Sequence, residues 1–176
     1  LIGNVHFGFC EYYQTLVVKG LADRVALLAR ELPDYSVFVT GHSLGAAAAA
    51  VCAADVAQRM LVERERVVLY TLGEPRAGDG IFAEGLNDRV GTAYRVVHNR
   101  DVVPHLALCC HGWFGKCQAG VVSCPYQHSS EIVYANDMSP GAPWVVCNDT
   151  VGEDYACDPQ ARDQPLYSAV LYGKTW

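Results

Sequence analysis

The chain has 176 residues, 51% hydrophobic and 18% charged, which is enough apolar material for one packed core and too much for a disordered segment. Its formal charge of -6 and its lack of any Lys/Arg cluster exclude the electrostatic footprint of a nucleic-acid-binding protein. The longest apolar stretch, Leu44 to Ala54, ends at Asp55 and falls short of the roughly 20 residues that cross a bilayer, so a soluble protein without a transmembrane segment is expected.

The chain opens with Leu1 and shows no basic segment followed by an apolar run, so either a removed N-terminal part or a fragment is expected. From Glu11 to Glu31 the apolar positions Tyr12, Leu16, Val17, Leu21, Val25, Leu28 and Leu32 follow helical spacing, and Pro33 ends the helix. Val37-Phe38-Val39 is short, β-branched or aromatic, and without polar alternation, which predicts a strand buried on both faces. Gly41 breaks it, and the alanine-rich stretch Leu44 to Arg59 predicts a helix directly afterwards. A second buried strand is predicted at Val67 to Leu72, closed by Gly73-Glu74-Pro75, then a helix at Ile81 to Leu86 and a third strand at Tyr94 to His98. Strands alternating with helices imply parallel crossovers and an α/β sandwich with a mostly parallel central sheet. Beyond Asp101 the texture turns to Cys, Pro and Gly, with one further strand at Glu131 to Tyr134 and a loop-rich, bridged cap on the sheet edge. Without repeat or linker, residues 1–176 read as a single domain.

Eight cysteines stand at 10, 52, 109, 110, 117, 124, 147 and 157. Their even number and their clustering favour disulfides in an oxidising compartment. The alternative is zinc held among Cys109, Cys110, His111, Cys117, Cys124 and His128, but the tight gaps usual between paired zinc cysteines are missing. Buried free thiols account for Cys10 and Cys52.

Chemistry concentrates at Val37 to Ala47, VFVTGHSLGAA. A serine hydroxyl attacks only when it is exposed, oriented and deprotonated by a base. A sharp strand-to-helix turn at Gly41-His42-Ser43-Leu44-Gly45 supplies the first two conditions, with the flanking glycines removing Cβ atoms that would collide. The following helix aims its N-terminal amides at the reaction centre, where the Leu44 N–H can stabilise an oxyanion. In the order serine, acid, histidine, Asp101, just past the strand ending at His98, is the best acid, the alternative being a turn-forming aspartate between strand and loop.

Several ordered segments together resemble the class 3, or fungal-type, triacylglycerol lipases: Val5-His6-Phe7-Gly8-Phe9, VTGHSLGAA, YTLGEPRAGD at 70–79, YRVVHNRDVVPHL at 94–106, YQHSSEIVY at 126–134 and the pair Cys147 and Cys157. The resemblance implies an α/β-hydrolase fold, with Ser43 as nucleophile, Asp101 as triad acid, Leu44 as oxyanion donor and a Cys147–Cys157 disulfide. It implies secretion, acylglycerol or another ester lipid as substrate, a lipid–water interface as the working surface, and no cofactor. The cysteine-rich loop 109–124 is similar to secreted animal members.

Two departures stand out. The family's histidine lies near the C terminus, yet no histidine follows His128; alignment places Gln164 or Ser168 there, and neither is a base near neutral pH. His105 and His128 match histidines outside the family's triad, which implies structural hydrogen bonding. His111 reads as a loop residue, and His42 and His98 neighbour the active residues without a triad role. The long family segment ahead of Val5, with a strand, a second oxyanion donor and a lid, is also missing, so the N-terminal part of the fold is expected to be absent. Ala46 replaces the family's second elbow glycine with little expected effect. A serine ester hydrolase is therefore the first expectation, a catalytically incomplete lipid- or partner-binding descendant the second, and a peptidase or thioesterase on the same fold the third.

Overall fold

In the computed structural model, which describes residues 3–59, 61–110, 117–118, 120–148, 152–154 and 157, the first helical stretch divides in two. Helix α1 spans Phe7–Val18 and α2 spans Leu21–Glu31. The single helix expected across this region is broken at Gly20, whose φ of 90° is open to a residue without a Cβ. The His6 ring caps α1, its Nδ1 accepting from the Gly8 N–H at 3.2 Å.

Strand β1 (Val37–His42) leads through Ser43 into α3 (Leu44–Gln58), and β2 (Val67–Leu72) follows a short 3-10 turn. Next come β3 (Gly78–Asp79), α4 (Gly80–Arg89) and β4 (Thr92–His98). A 3-10 turn at Val103–His105, then β5 (Pro125–Tyr126), β6 (Glu131–Tyr134) and β7 (Val145–Val146) complete the described elements. The main sheet has the order β1-β2-β4-β6-β7. Its first three pairings are parallel and only β6–β7 is antiparallel, while β3 and β5 form a separate antiparallel pair.

The core forms where α3 meets the sheet. Ala46, Ala47, Ala50, Val51 and Ala53 of α3 are wholly buried. Side chains this small let the helix axis approach β1 and β2, and Leu69, Val67, Leu86 and Tyr13 fill the remaining space. The expectation that β1 is buried on both faces fails. The packed helices cover only one of its faces, so its residues alternate, and Phe38 on the open face is 61% exposed. An apolar run had concealed a one-sided strand.

Three disulfides join Cys109 to Cys117, Cys110 to Cys124, and Cys147 to Cys157. The first two engage all four cysteines of the zinc alternative, removing the thiolates that it needs. Cys10 and Cys52 are free and half-buried rather than fully buried. Among the described residues no helix is long and apolar enough to cross a membrane.

Candidate active site

The parallel strands bring their carboxyl ends together along one edge of the sheet, and three turns leave from there. The first is the elbow. Ser43 has φ 55° and ψ -126°, a conformation costly for a residue with a Cβ, and it persists because both sides are pinned. Its N–H donates to the Leu72 carbonyl of β2 at 3.0 Å, and its carbonyl accepts from Ala46 and Ala47 of α3. Gly41 is required by close approach, since a Cβ there would meet the Gly45 carbonyl and lie 2.8 Å from the Ala46 nitrogen. Gly45 differs: a Cβ there has no described neighbour within 4 Å, so crowding does not explain this glycine as it explains Gly41.

Ser43 occupies the N-cap of α3, yet its side chain makes no capping bond. N-cap serines normally give their oxygen to the first-turn amides, so this hydroxyl is left for other chemistry. Leu44 is the first residue of α3 and half exposed; its N–H belongs to the first turn, which has no helical carbonyl to pair with. Such an amide, at the positive end of a 15-residue helix, is suited to stabilise negative charge.

The second turn, after β2, begins at Gly73. A Cβ on Gly73 would stand 2.8 Å from Asp101 Oδ2 and 3.9 Å from His42 Nε2, so the carboxylate and the exposed imidazole both flank this residue. The third turn, after β4, carries Asp101. Asn99 at φ 46° reverses the chain and donates from its N–H to the Tyr134 carbonyl at 2.7 Å, while the Asp101 N–H bonds the His98 carbonyl. Asp101 Oδ1 accepts from the Val103 N–H at 3.0 Å. Ser43 and Asp101 thus lie at the carboxyl ends of β1 and β4, on either side of β2.

The other histidines are placed as follows. His98 Nε2 pairs with the Asn136 carbonyl at 2.6 Å. His128 is buried, its Nε2 3.2 Å from Glu74 Oε2 and its Nδ1 2.6 Å from the Ser129 carbonyl. The carbonyl of His105 accepts from Arg76. His111, Gln164 and Ser168 lie outside the described residues. A cleft of about 400 Å³ beside the N-terminal segment is lined by Val5, Phe7, Ala77, Leu108 and Pro125 among others, and by none of Ser43, Leu44 or Asp101. Among the described residues no group of three or more His, Cys, Asp and Glu could hold a metal ion.

What reading the sequence missed is a layer of buried charge under the second and third turns. Arg76 forms a two-point ion pair with Glu153, at 2.6 and 2.9 Å, and also donates to the His105 and Ala107 carbonyls. Arg95 donates to Glu131 at 2.9 Å and to the carbonyls of His128 and Gly152. One signal was available: Arg95 stands inside the apolar strand TAYRVVH and Glu131 at the head of EIVY, and a buried charge demands a partner.

A parallel sheet entered by these crossovers, with the elbow at its carboxyl edge, defines an α/β-hydrolase fold. The chain belongs to the class 3 lipase family, whose profile, Lipase (class 3), matches residues 2–111. It is 36% identical over 148 residues to Lipase ZK262.3 of Caenorhabditis elegans, covering 78% of this chain and 42% of that protein. It is 37% identical over 103 residues to secreted mono- and diacylglycerol lipase 1 of Fusarium solani, covering 58% of this chain and 29% of that one. A solved triacylglycerol lipase, described as having a serine protease triad as its catalytic centre, superposes with a TM-score of 0.68 at 33% identity, covering 88% of this chain and 53% of that chain. The chain thus spans less than half of the curated relatives and about half of the solved structure.

Proposed function

We propose that residues 1–176 form one lipase-like domain that supplies the nucleophilic half of a serine ester hydrolase acting on acylglycerols. Ser43 Oγ attacks the acyl carbonyl, the Leu44 N–H stabilises the tetrahedral oxyanion, and the alcohol leaves from an acyl-enzyme that water then hydrolyses. The base that takes the Ser43 proton and returns it to the departing alcohol is not among the residues identified in this chain, and Asp101 is the carboxylate that orients it and stabilises its charged form. The observation that carries this reading is Ser43 held at positive φ on a helix N-cap with its hydroxyl unspent. Acylglycerol as substrate rests on the names of the Fusarium solani and triacylglycerol lipase relatives. Three disulfides and a relative named as secreted support export, and a lipid–water interface is the corresponding place of action.

A second reading, a lipid- or partner-binding protein without turnover, is favoured by Gln164 or Ser168 standing where alignment places the family's histidine. Labelling the full-length product with a fluorophosphonate separates the two. Hydrolysis predicts modification that Ser43→Ala abolishes and Asp101→Asn slows by about a thousandfold or more. A full-length protein inert to both the probe and short-chain esters supports the binding reading instead.

A further inference from the structure

We propose that Gln127 is a positioning residue for Asp101, a clamp that fixes the distance between the turn after β2 and the turn that carries the acid. The inference rests on the reading of Asp101 as the triad acid. Gln127 is 3% exposed and lies between β5 and β6, remote in sequence from both turns. Its Nε2 donates at 2.9 Å to the Glu74 carbonyl and at 2.9 Å to the Pro104 carbonyl. Glu74 follows Gly73, where a Cβ would stand 2.8 Å from Asp101 Oδ2, so this turn flanks that oxygen. Pro104 follows Val103, whose N–H holds Asp101 Oδ1. One carboxamide therefore spans the two segments that contact the two carboxylate oxygens.

The chemistry of the site selects glutamine. Two carbonyls face the side chain, so it must offer two donors on one atom, which an amide nitrogen does and a carboxylate cannot. The opposite amide orientation would set oxygen against both carbonyls, so the hydrogen-bonding pattern fixes the assignment. Among the described residues Gln127 Oε1 has no partner, a buried cost that an apolar side chain of the same shape would not carry. A residue chosen for packing alone would avoid that cost. The next residue, His128, lies 3.2 Å from Glu74 Oε2, so the same stretch holds the turn after β2 through both the backbone and the side chain of Glu74. A misplacement of about 1 Å in a catalytic group costs on the order of a hundredfold, so a clamp of this kind acts on rate more than on binding.

The test uses Gln127→Met, which keeps the volume and removes both donors, in the full-length product with p-nitrophenyl butyrate. The expected result is a loss of kcat of about tenfold to a hundredfold with KM unchanged. In the Asp101→Asn background the same substitution costs nothing further, because a clamp on a missing acid has nothing to hold. Gln127→Glu gives a milder probe: the buried carboxyl donates one bond while protonated and none when ionised, so its kcat relative to wild type falls as pH rises. Hydrogen exchange reads the clamp without turnover: the Val103 amide exchanges about tenfold faster in Gln127→Met while the Val97 amide in β4 is unchanged. Equal losses in both backgrounds, or an unchanged Val103 rate, overturn the proposal. Full activity in Asp101→Asn alone overturns the reading of Asp101 instead, and the Val103 rate then decides whether the clamp exists.

Discussion

Strands β1 and β2 rest on a helix surface made of alanine and valine, whereas β4 and β6 are tied to each other by the buried Arg95–Glu131 ion pair and the loop-rich segments around them are held by the Arg76–Glu153 pair and by sulfur. In the first region the buried polar groups are few and mutually satisfied. Tyr13 donates to Asp55 at 2.7 Å and Arg59, one turn on, pairs with the same carboxylate at 2.8 Å. Burial, with the Asp55 carboxylate nearby, pushes the Cys52 thiol up to about 11, so it packs as an apolar group. In the second region Arg76, Arg95, Glu74, Glu131, Glu153, Gln127 and His128 are all buried, and three disulfides stand in for an apolar core that the loop-rich segment does not build. Ser43, the proposed nucleophile, is held by the first kind of structure and Asp101, the proposed acid, by the second, so the pair depends on two unrelated sources of rigidity.

The sharpest break of this contrast is Arg76→Met. It leaves Glu153 buried without a counter-charge and the His105 and Ala107 carbonyls without their donor, so the expected loss is about 3 to 5 kcal/mol in urea unfolding. Adding Glu153→Leu recovers part of it, since the orphaned charge is gone but the carbonyls stay unpaired. A wild-type midpoint for the single variant would mean that the acid-bearing region does not depend on its buried charges.

The same contrast explains what could be read in advance. Helix α3, β2, α4, β4 and β6 were legible because each follows from contiguous residues: alanine propensity at 46–50, β-branched runs at 67–72 and 94–98, and turn residues between them. The turn positions of Ser43 and Asp101, on which their proposed roles rest, were legible for the same local reason, one from a glycine-flanked turn and the other from its place after a strand. The open face of β1 was not legible, because Phe38 looks the same in the sequence whether or not a layer covers it. The break at Gly20 was also hidden, since helical apolar spacing runs straight through it. Gln127 and the Arg76–Glu153 pair act across 23 to 77 residues of chain, and no window of sequence contains such a pairing.

A smaller effect sharpens the sulfur half of the comparison. The Cys110–Cys124 bridge closes a loop of 14 residues, and removing it with Cys110→Ser and Cys124→Ser together is expected to cost about 3 kcal/mol, mainly by freeing the unfolded chain. The acid-bearing region should then open first. The amides of residues 123 and 124 lose protection while those of α3 keep theirs, measurable by native-state hydrogen exchange. Equal loss across both regions would make the two halves one cooperative unit.

The smallest effect belongs to Asp79, a carboxylate that joins both regions. Asp79 caps α4 by accepting from the Phe82 N–H at 2.9 Å, holds the N-terminal segment through the Asn4 amide at 2.8 Å, and takes the Ser123 N–H from the cysteine loop at 3.2 Å. Burial opposes its ionisation, but these hydrogen bonds outweigh burial and hold the carboxyl below the usual carboxylate range. Its folded value is therefore lower than its unfolded value of about 3.9, so the stabilisation is complete above that pH and is lost as pH falls through the folded value. Asp79→Ala removes the cap and is expected to cost about 1 to 2 kcal/mol near neutral pH. Asp79→Asn can still accept from Phe82 and so keeps much of the cap, but it lacks the charge, and the wild-type advantage over it should shrink steadily below about pH 4. A stability difference between wild type and Asp79→Asn that stays flat from neutral pH to pH 3 would show that the junction is held by shape, and that charge contributes only to the buried pairs on the acid side.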